Sequence, residues 1–270
     1  MSDSLEIVLT NDDGIDSPGI HALYDALTEV ADVTVVAPAD DQSAVGRSIS
    51  SEVDVFEHDL GYALEGTPAD CVVAGVGELG PNPSPDLVVS GCNRGANLGE
   101  YVIGRSGTVS AAVEAAFFDV PAIAASLYVP AGDGSHRDVE ITREDFAEAA
   151  RATRYLVERA PDAGVFERAS VLNVNAPLPD GEPAPLEITR PSTRYEMDAS
   201  LDGDSVVLQD RIWERMDVES LPDPDGTDRR AVVEGRISVS PLGVPQASAH
   251  HDELAALADS YADAVPELWR

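Results

Sequence analysis

Two adjacent aspartates come directly after an apolar run, Leu5-Glu6-Ile7-Val8-Leu9-Thr10-Asn11-Asp12-Asp13-Gly14. In an open parallel α/β sheet, ligands bind outside the carboxyl ends of the strands. Two carboxylates there are hard oxygen donors suited to a divalent cation. Asp-Gly is also a common turn signal, so the pair alone does not separate a site from a turn. The next residues along the chain do: Ser17-Pro18 offers an N-cap with proline at the first helical position. Ile20, Leu23, Tyr24 and Leu27 then recur at helical spacing. Asp12 and Asp13 therefore belong to a βα junction rather than a hairpin.

Two further loops carry residues of compatible chemistry. Pro38 to Ser48 leaves a second apolar strand and exceeds the roughly 2–6 residues usual for a βα connection. Within it, Ser43 can offer a hydroxyl oxygen to a cation, and Arg47 a planar fork to a phosphate. The third loop runs from Gly91 through Asn93, Asn97 and Gly99 to Arg105, Ser106, Gly107 and Thr108. Its glycines let backbone N–H groups approach an anion. Asn93 can present a carbonyl oxygen to a metal. Ser106-Gly107-Thr108 places N–H groups and hydroxyls at a helix start, a ready phosphate site.

Other chemistries find little support. Gly75-Val76-Gly77-Glu78-Leu79-Gly80 fits the dinucleotide G-x-G-x-x-G pattern, but that fingerprint needs a helix next, and Pro81, Pro83 and Pro85 come instead. The chain has no G-x-S-x-G elbow and no H-E-x-x-H zinc site. His21 falls on the first predicted helix; His58, His136, His250 and His251 lie in polar segments. Asp12-Asp13 is not the D-x-D arrangement of an aspartyl-nucleophile phosphatase.

The elements that must position these loops alternate. Strands are predicted at 5–10, 32–37, 86–90, 121–126 and 170–175. Helices are predicted after Ser17, after Thr67-Pro68, over 108–118, and from the Thr142/Asp145 capping box to about Ala160. This order predicts an α/β fold with a mostly parallel sheet and helices on both faces. Prolines become dense from about Pro177. Segments 205–209 and 236–240 read as hairpin strands and 250–264 as a terminal helix. The expected division is a catalytic core over 1–180 and an appendage over 181–270, an arm for self-association.

Composition narrows the setting. The chain has 270 residues and a formal charge of −33, from 50 acidic residues against 17 basic ones. No residue is lysine; all the basic side chains are arginine. The acidic residues are dispersed rather than blocked, as in a solvated surface and unlike an acidic interaction tail. Their repulsion is screened at roughly molar salt, where the Debye length is about 3 Å, so the charge predicts adaptation to a salty cytoplasm. No arginine cluster suits nucleic acid, no run suits a membrane span, and no export signal is visible. Cys71 and Cys92 suggest neither a disulfide framework nor a zinc site.

Taken together, Thr10 to Gly14, Ala37-Pro38 through Ser43, Gly46 to Ser48, Gly66 to Cys71, Ser90 to Gly95 and Ser106 to Val109 resemble the SurE family of survival-protein 5′/3′-nucleotidases. The resemblance runs from Leu5 to about Ser126, with echoes at Asn173-Val174-Asn175-Ala176-Pro177 and 235–242. It implies a Rossmann-like three-layer core with a C-terminal β-hairpin arm and terminal helix, assembling as a homodimer or homotetramer. It also implies one divalent metal, Mg²⁺ or Mn²⁺, per subunit, held by Asp12, Asp13, Ser43 and Asn93. Asn97, Ser106, Gly107, Thr108, Arg47 and Arg105 are the expected phosphate- or substrate-binding residues. Residues 100–105 are one longer than the family's usual spacing, and Arg105 stands where relatives often carry His or Tyr. Arginine stays protonated, so it suits phosphate binding rather than proton donation.

The expected activity is hydrolysis of nucleoside 5′- (and 3′-) monophosphates by a metal-activated water, with Asp12 and Asp13 as catalytic residues and Arg47 or Arg105 supplying positive charge. Attack by Asp12 on phosphorus is the mechanistic alternative. A nucleotide-binding protein that does not turn over is the alternative from another class.

Overall fold

Leu5–Thr10 forms a strand (β1) whose side chains alternate between two apolar layers. The computed structural model that contains it describes residues 4–81, 84–130 and 139–244. Next come α1 (Pro18–Leu27), β2 (Ala31–Pro38), β3 (Val55–His58), β4 (Gly61–Leu64), α2 (Pro68–Val76), β5 (Leu87–Arg94), α3 (Glu100–Ile103) and α4 (Gly107–Phe117). The chain continues through β6 (Ala122–Leu127), α5 (Ala147–Arg159), β7 (Val171–Ala176), β8 (Leu186–Ile188), β9 (Met197–Asp202), β10 (Ser205–Asp210), α6 (Asp228–Val233) and β11 (Ile237–Leu242).

Among the described residues the central sheet has nine strands in the order β3-β4-β2-β1-β5-β6-β7-β11-β8. The six from β4 to β7 are mutually parallel. A parallel sheet needs cover on both faces. Ile7 and Leu9 pack into the layer formed with α1 and α5, while Val8 packs with Val109 and Ala112 of α4 on the other face. Buried alanines on α4 let that helix sit close to the sheet. No helix among the described residues is long and apolar enough to cross a membrane.

Several expected boundaries move for local reasons. β5 runs on to Arg94 instead of ending at Ser90, because a bulge lets Gly91 and Cys92 face the single residue Ala125 of β6. Gly91 has φ +136°, and a Cβ there would lie 2.3 Å from the Ala125 carbonyl oxygen. The Thr142/Asp145 box opens a 3-10 turn over Arg143–Phe146 before α5 begins. Gly75 lies inside α2 and Gly80 packs against its carbonyl, so the G-x-G-x-x-G match is indeed a helix end and turn.

Residues beyond 181 divide between two places. Ser205–Asp210 pairs with Met197–Asp202 as an antiparallel hairpin, the expected arm. Segment 236–240, expected as a hairpin strand, instead enters the central sheet as β11, antiparallel to β7 and parallel to β8. Its buried residues Ile237 and Val239 join the α1/α5 core. α6 ties the arm back: Asp228 accepts hydrogen bonds from the Gly99 and Ser192 amides at 2.6 and 2.9 Å. The predicted terminal helix at 250–264 lies outside the described residues.

The start of α2 gives a test of the local code. Thr67 and Asp70 form a reciprocal capping box, and Thr67 Oγ1 also donates to the Ser48 carbonyl at 2.7 Å. Thr67→Ala removes both contacts. Denaturant titration should show a loss of about 1–2 kcal/mol; an unchanged midpoint would show that the box contributes nothing.

Candidate active site

Strand order reverses between β1 and β5, where β2 and β4 lie on one side and β6 and β7 on the other. Chain leaving β1 turns toward α1, and chain leaving β5 leads on to α4, on the opposite face. A crevice is thereby left at the carboxyl ends of these two strands. It opens into a cavity of about 860 Å³ lined by Asp12, Asp13, Ser43, Asn93, Asn97, Arg105 and Ser106, among others.

The first turn is shaped by Asn11. Its side-chain amide donates to the Gly14 carbonyl at 2.7 Å and to Ser17 Oγ at 2.8 Å. Ser17 occupies the expected N-cap position, yet its hydroxyl serves Asn11 and caps no helix amide. The Asp12 carbonyl accepts from the Gln42 amide at 2.7 Å, which joins the first loop to the second.

Asp12 is 3 % exposed. Burial, together with the neighbouring charge of Asp13, raises its carboxyl pKa to about 7, although Thr108 Oγ1 donates to it at 2.6 Å. Burial also raises Asp13, against the Arg94 amide that donates to it at 2.8 Å; Asp41 adds repulsion and the Arg94 side chain opposes it. Behind Asp12 the packing is closed: a Cβ on Gly107 would lie 2.7 Å from Asp12 Oδ2.

The remaining expected ligands supply neutral oxygens. Ser43 donates through both its amide and its hydroxyl to Asp41, at 2.8 and 2.6 Å, and the hydroxyl keeps lone pairs for a cation. The Asn93 amide nitrogen is engaged by the Gly95 carbonyl, leaving its own carbonyl oxygen as the coordinating end. Among the described residues no cluster of three His, Cys, Asp or Glu side chains is placed to hold a metal. A cation at this crevice would be met by the carboxylates of Asp12 and Asp13 and by the oxygens of Ser43 and Asn93. That all-oxygen donor set fits Mg²⁺ or Mn²⁺ better than a thiophilic ion.

The expected phosphate-binding residues are placed unequally. Ser106 lines the cavity and caps α4, its Oγ accepting from the Val109 amide at 3.1 Å. Thr108 is fully buried, and its hydroxyl is directed to Asp12. Asn97 donates to Ser126 Oγ at 2.9 Å and sits 3.4 Å from Thr108 Oγ1. Arg105 lies on the cavity wall, hydrogen-bonded to the Tyr101 hydroxyl and stacked 4.8 Å from that ring's centroid. Arg47 is not brought to the cavity: it pairs with Glu114 at 3.2 Å and stacks on Phe117.

Other contributors carried weaker sequence signals. Arg94 lines the cavity beside Asn93. Asp41 orients Ser43 through the two hydrogen bonds it accepts. Asn173 and Asn175 grip the backbone of Asn97, accepting from its amide at 2.7 Å and donating to its carbonyl at 2.9 and 3.3 Å. Two asparagines inside an apolar strand were the available clue, since buried amides require partners.

The raised Asp12 pKa has a consequence for stability. Between its unfolded value of 3.8 and its folded value of about 7, the folded state holds the extra proton. The stabilisation this gives is complete below pH 3.8 and is lost as pH rises through about 7. In chelator-treated protein, Asp12→Asn should therefore raise the melting temperature by about 3–6 °C at pH 8 and by much less at pH 5. Equal shifts at the two pH values would contradict the burial assignment.

The Survival protein SurE family model matches residues 7–198 of the chain. A 5′-nucleotidase SurE of Natronomonas pharaonis is 65% identical over 95% of this chain and all of the relative. One of Haloquadratum walsbyi is 59% identical over 98% of this chain, again with full coverage of the relative. The crystal structure of the SurE protein from Aquifex aeolicus superposes with a TM-score of 0.73 at 31% identity, covering 95% of this chain and 99% of that one. With its strand-end carboxylates at the β1/β5 crevice and a family match over most of its length, the chain belongs to the SurE family.

Proposed function

We propose that the chain is a phosphomonoesterase that releases phosphate from nucleoside 5′-monophosphates, and from 3′-monophosphates, with the aid of a divalent cation. The observation that carries this reading is the adjacent carboxylates of buried Asp12 and half-buried Asp13, both lining a cavity that arginine and a helix start also line. The 5′-nucleotidase relatives from salt-loving archaea support the substrate class.

Asp12, Asp13, Ser43 and Asn93 would hold the ion. When bound, such an ion polarises a phosphoryl oxygen and offsets developing negative charge. The protein's own groups do the rest. Thr108 fixes the rotamer of Asp12 through its hydrogen bond. Asn97, braced by Asn173 and Asn175, sets the back of the phosphate site. The Ser106 hydroxyl, engaged with the helix only as an acceptor, keeps its proton free to donate to a phosphate oxygen. Arg94 and Arg105 on the cavity wall attract the anionic ester, and their positive charge offsets the negative charge carried by the phosphoryl and leaving-group oxygens in the transition state. Water is the nucleophile in this reading. Single-turnover hydrolysis in ¹⁸O-water would leave the label in phosphate, whereas label in an aspartate carboxylate would establish attack by the protein.

We also propose that the chain works as a homodimer or homotetramer in a salt-rich cytoplasm. The net charge of −33 without a single lysine supports the setting. The arm supports assembly: by register Ala199, Leu201, Val206 and Leu208 share one face of the β9–β10 hairpin. Leu201 and Leu208 are 81 % and 71 % exposed. A two-stranded hairpin is marginal alone in water.

Two measurements test these readings. In molar KCl, a panel of nucleoside monophosphates should release phosphate with Mg²⁺ or Mn²⁺, lose that activity with chelator, and regain it on metal addition. Asp12→Asn should lower kcat at least about 100-fold. Release that is indifferent to chelator would reject the metal. Independently, Leu201→Asp combined with Leu208→Asp should shift the mass found by light scattering toward the monomer; an unchanged mass would place the interface elsewhere.

A further inference from the structure

The cavity is larger than the phosphate site needs, and part of its wall comes from outside the strand-end loops. Besides the carboxylates it is lined by Tyr101 and Arg105 from the α3 segment and by Met197, Asp210 and Trp213 from the arm. Trp213 stands on the 3-10 turn Arg211–Arg215 that comes after β10. It is 37 % exposed, while its neighbour Ile212 is fully buried and anchors the turn. Asp210 accepts from the Ile212 amide at 3.2 Å, which fixes the start of the turn.

The two sides of this wall are joined. The rings of Tyr101 and Tyr195 pack with centroids 4.2 Å apart at a tilt of 57°. Arg105 holds Tyr101 from another side, by a hydrogen bond to its hydroxyl and a cation–π contact. Tyr101 is thus restrained before any ligand arrives.

We propose that this wall is the nucleoside-binding subsite, in which the arm of the same chain supplies the surface against which the base stacks. Flat aromatic faces and a thioether suit a heteroaromatic ring. Base stacking on such faces tolerates any of the bases. Asp210 adds an acceptor for a ribose hydroxyl or an exocyclic amine. Phosphate is held by the strand-end loops and the nucleoside by the arm, so one cavity reads both halves of the ester. The inference rests on the phosphomonoesterase reading for the orientation of the ligand, but binding at the wall can be measured without turnover.

The test compares AMP with glycerol 2-phosphate, which offers the same ester but no base, in molar KCl with Mg²⁺. Trp213→Ala should raise KM for AMP about tenfold with kcat within about twofold, while kcat/KM for glycerol 2-phosphate stays within about twofold. Trp213→Phe should restore most of the AMP affinity. A KM for AMP that does not move, or equal losses on both substrates, overturns the proposal.

Fluorescence gives a second reading that needs neither hydrolysis nor a truncated side chain. The chain has two tryptophans, and the other, Trp269, lies outside the described residues. In a Trp269→Phe background, adenosine should quench Trp213 emission saturably, and absence of quenching overturns the proposal. Saturable quenching without phosphate release from any substrate would reject the hydrolase reading and leave the subsite standing.

Discussion

The structure depends on the reversal of strand order between β1 and β5. A parallel strand must lead into a crossover, and crossovers in a right-handed sheet place their helices according to the direction in which strands are added. Where that direction changes, neighbouring strands send their chains to opposite faces. The gap this leaves is the one place where Asp12 and Asp13 can stand together on a buried strand end and still face a cavity. Everything else at the site adjusts to those carboxylates. Gly107 makes room behind Asp12, Thr108 donates to it, and the Arg94 amide donates to Asp13. Burying Asp12 beside the charge of Asp13 is unfavourable and pushes its carboxyl pKa up.

A second layer of buried polar contacts holds the loops that the sheet does not. Asn97 is gripped by Asn173 and Asn175 from β7 and leans on Ser126 from β6. Further out, Arg229 is fully buried, 3.8 Å from Asp223, and donates to the Leu98 and Arg194 carbonyls. A Cβ on Gly99 would lie 2.5 Å from that guanidinium. Buried ion pairs contribute little net stability because desolvation offsets attraction. Their value here is geometric, since they lock the loop after β5 against the segment that leads into the arm. The strand-end loops and the arm's share of the cavity wall are consequently one connected unit.

Much of this was legible in the chain itself. The strand at 5–10 was readable because its apolar run is short and ends in polar residues at a capped helix, and α2 because Thr67, Pro68 and Asp70 are local signals. The G-x-G-x-x-G match could be rejected because three prolines forbid the helix it requires. Segment 236–240 was misread because a short alternating strand carries no record of its partner: antiparallel pairing with β7 and hairpin pairing look alike in sequence. The bulge at Gly91 was invisible for the same reason, since it is defined by the register against Ala125.

For the site, residue type and position along the chain determined which atoms could do chemistry. Asp12, Asp13, Ser43 and Asn93 are oxygen donors at strand ends, and their place there is readable from local pattern. Which of the expected phosphate residues reach the cavity was decided only by tertiary packing. Arg47 and Arg105 are equivalent cations in sequence, yet one is held by Glu114 and Phe117 outside the cavity and the other stands on its wall. Thr108 became a support for Asp12 because the start of α4 lies directly behind that carboxylate. The arm reached the cavity through contacts such as Tyr101 with Tyr195, residues far apart in the chain. Local interactions select conformations over a few residues and so leave a sequence trace; long-range placement depends on which surfaces meet, and that is settled only when the sheet has closed its faces.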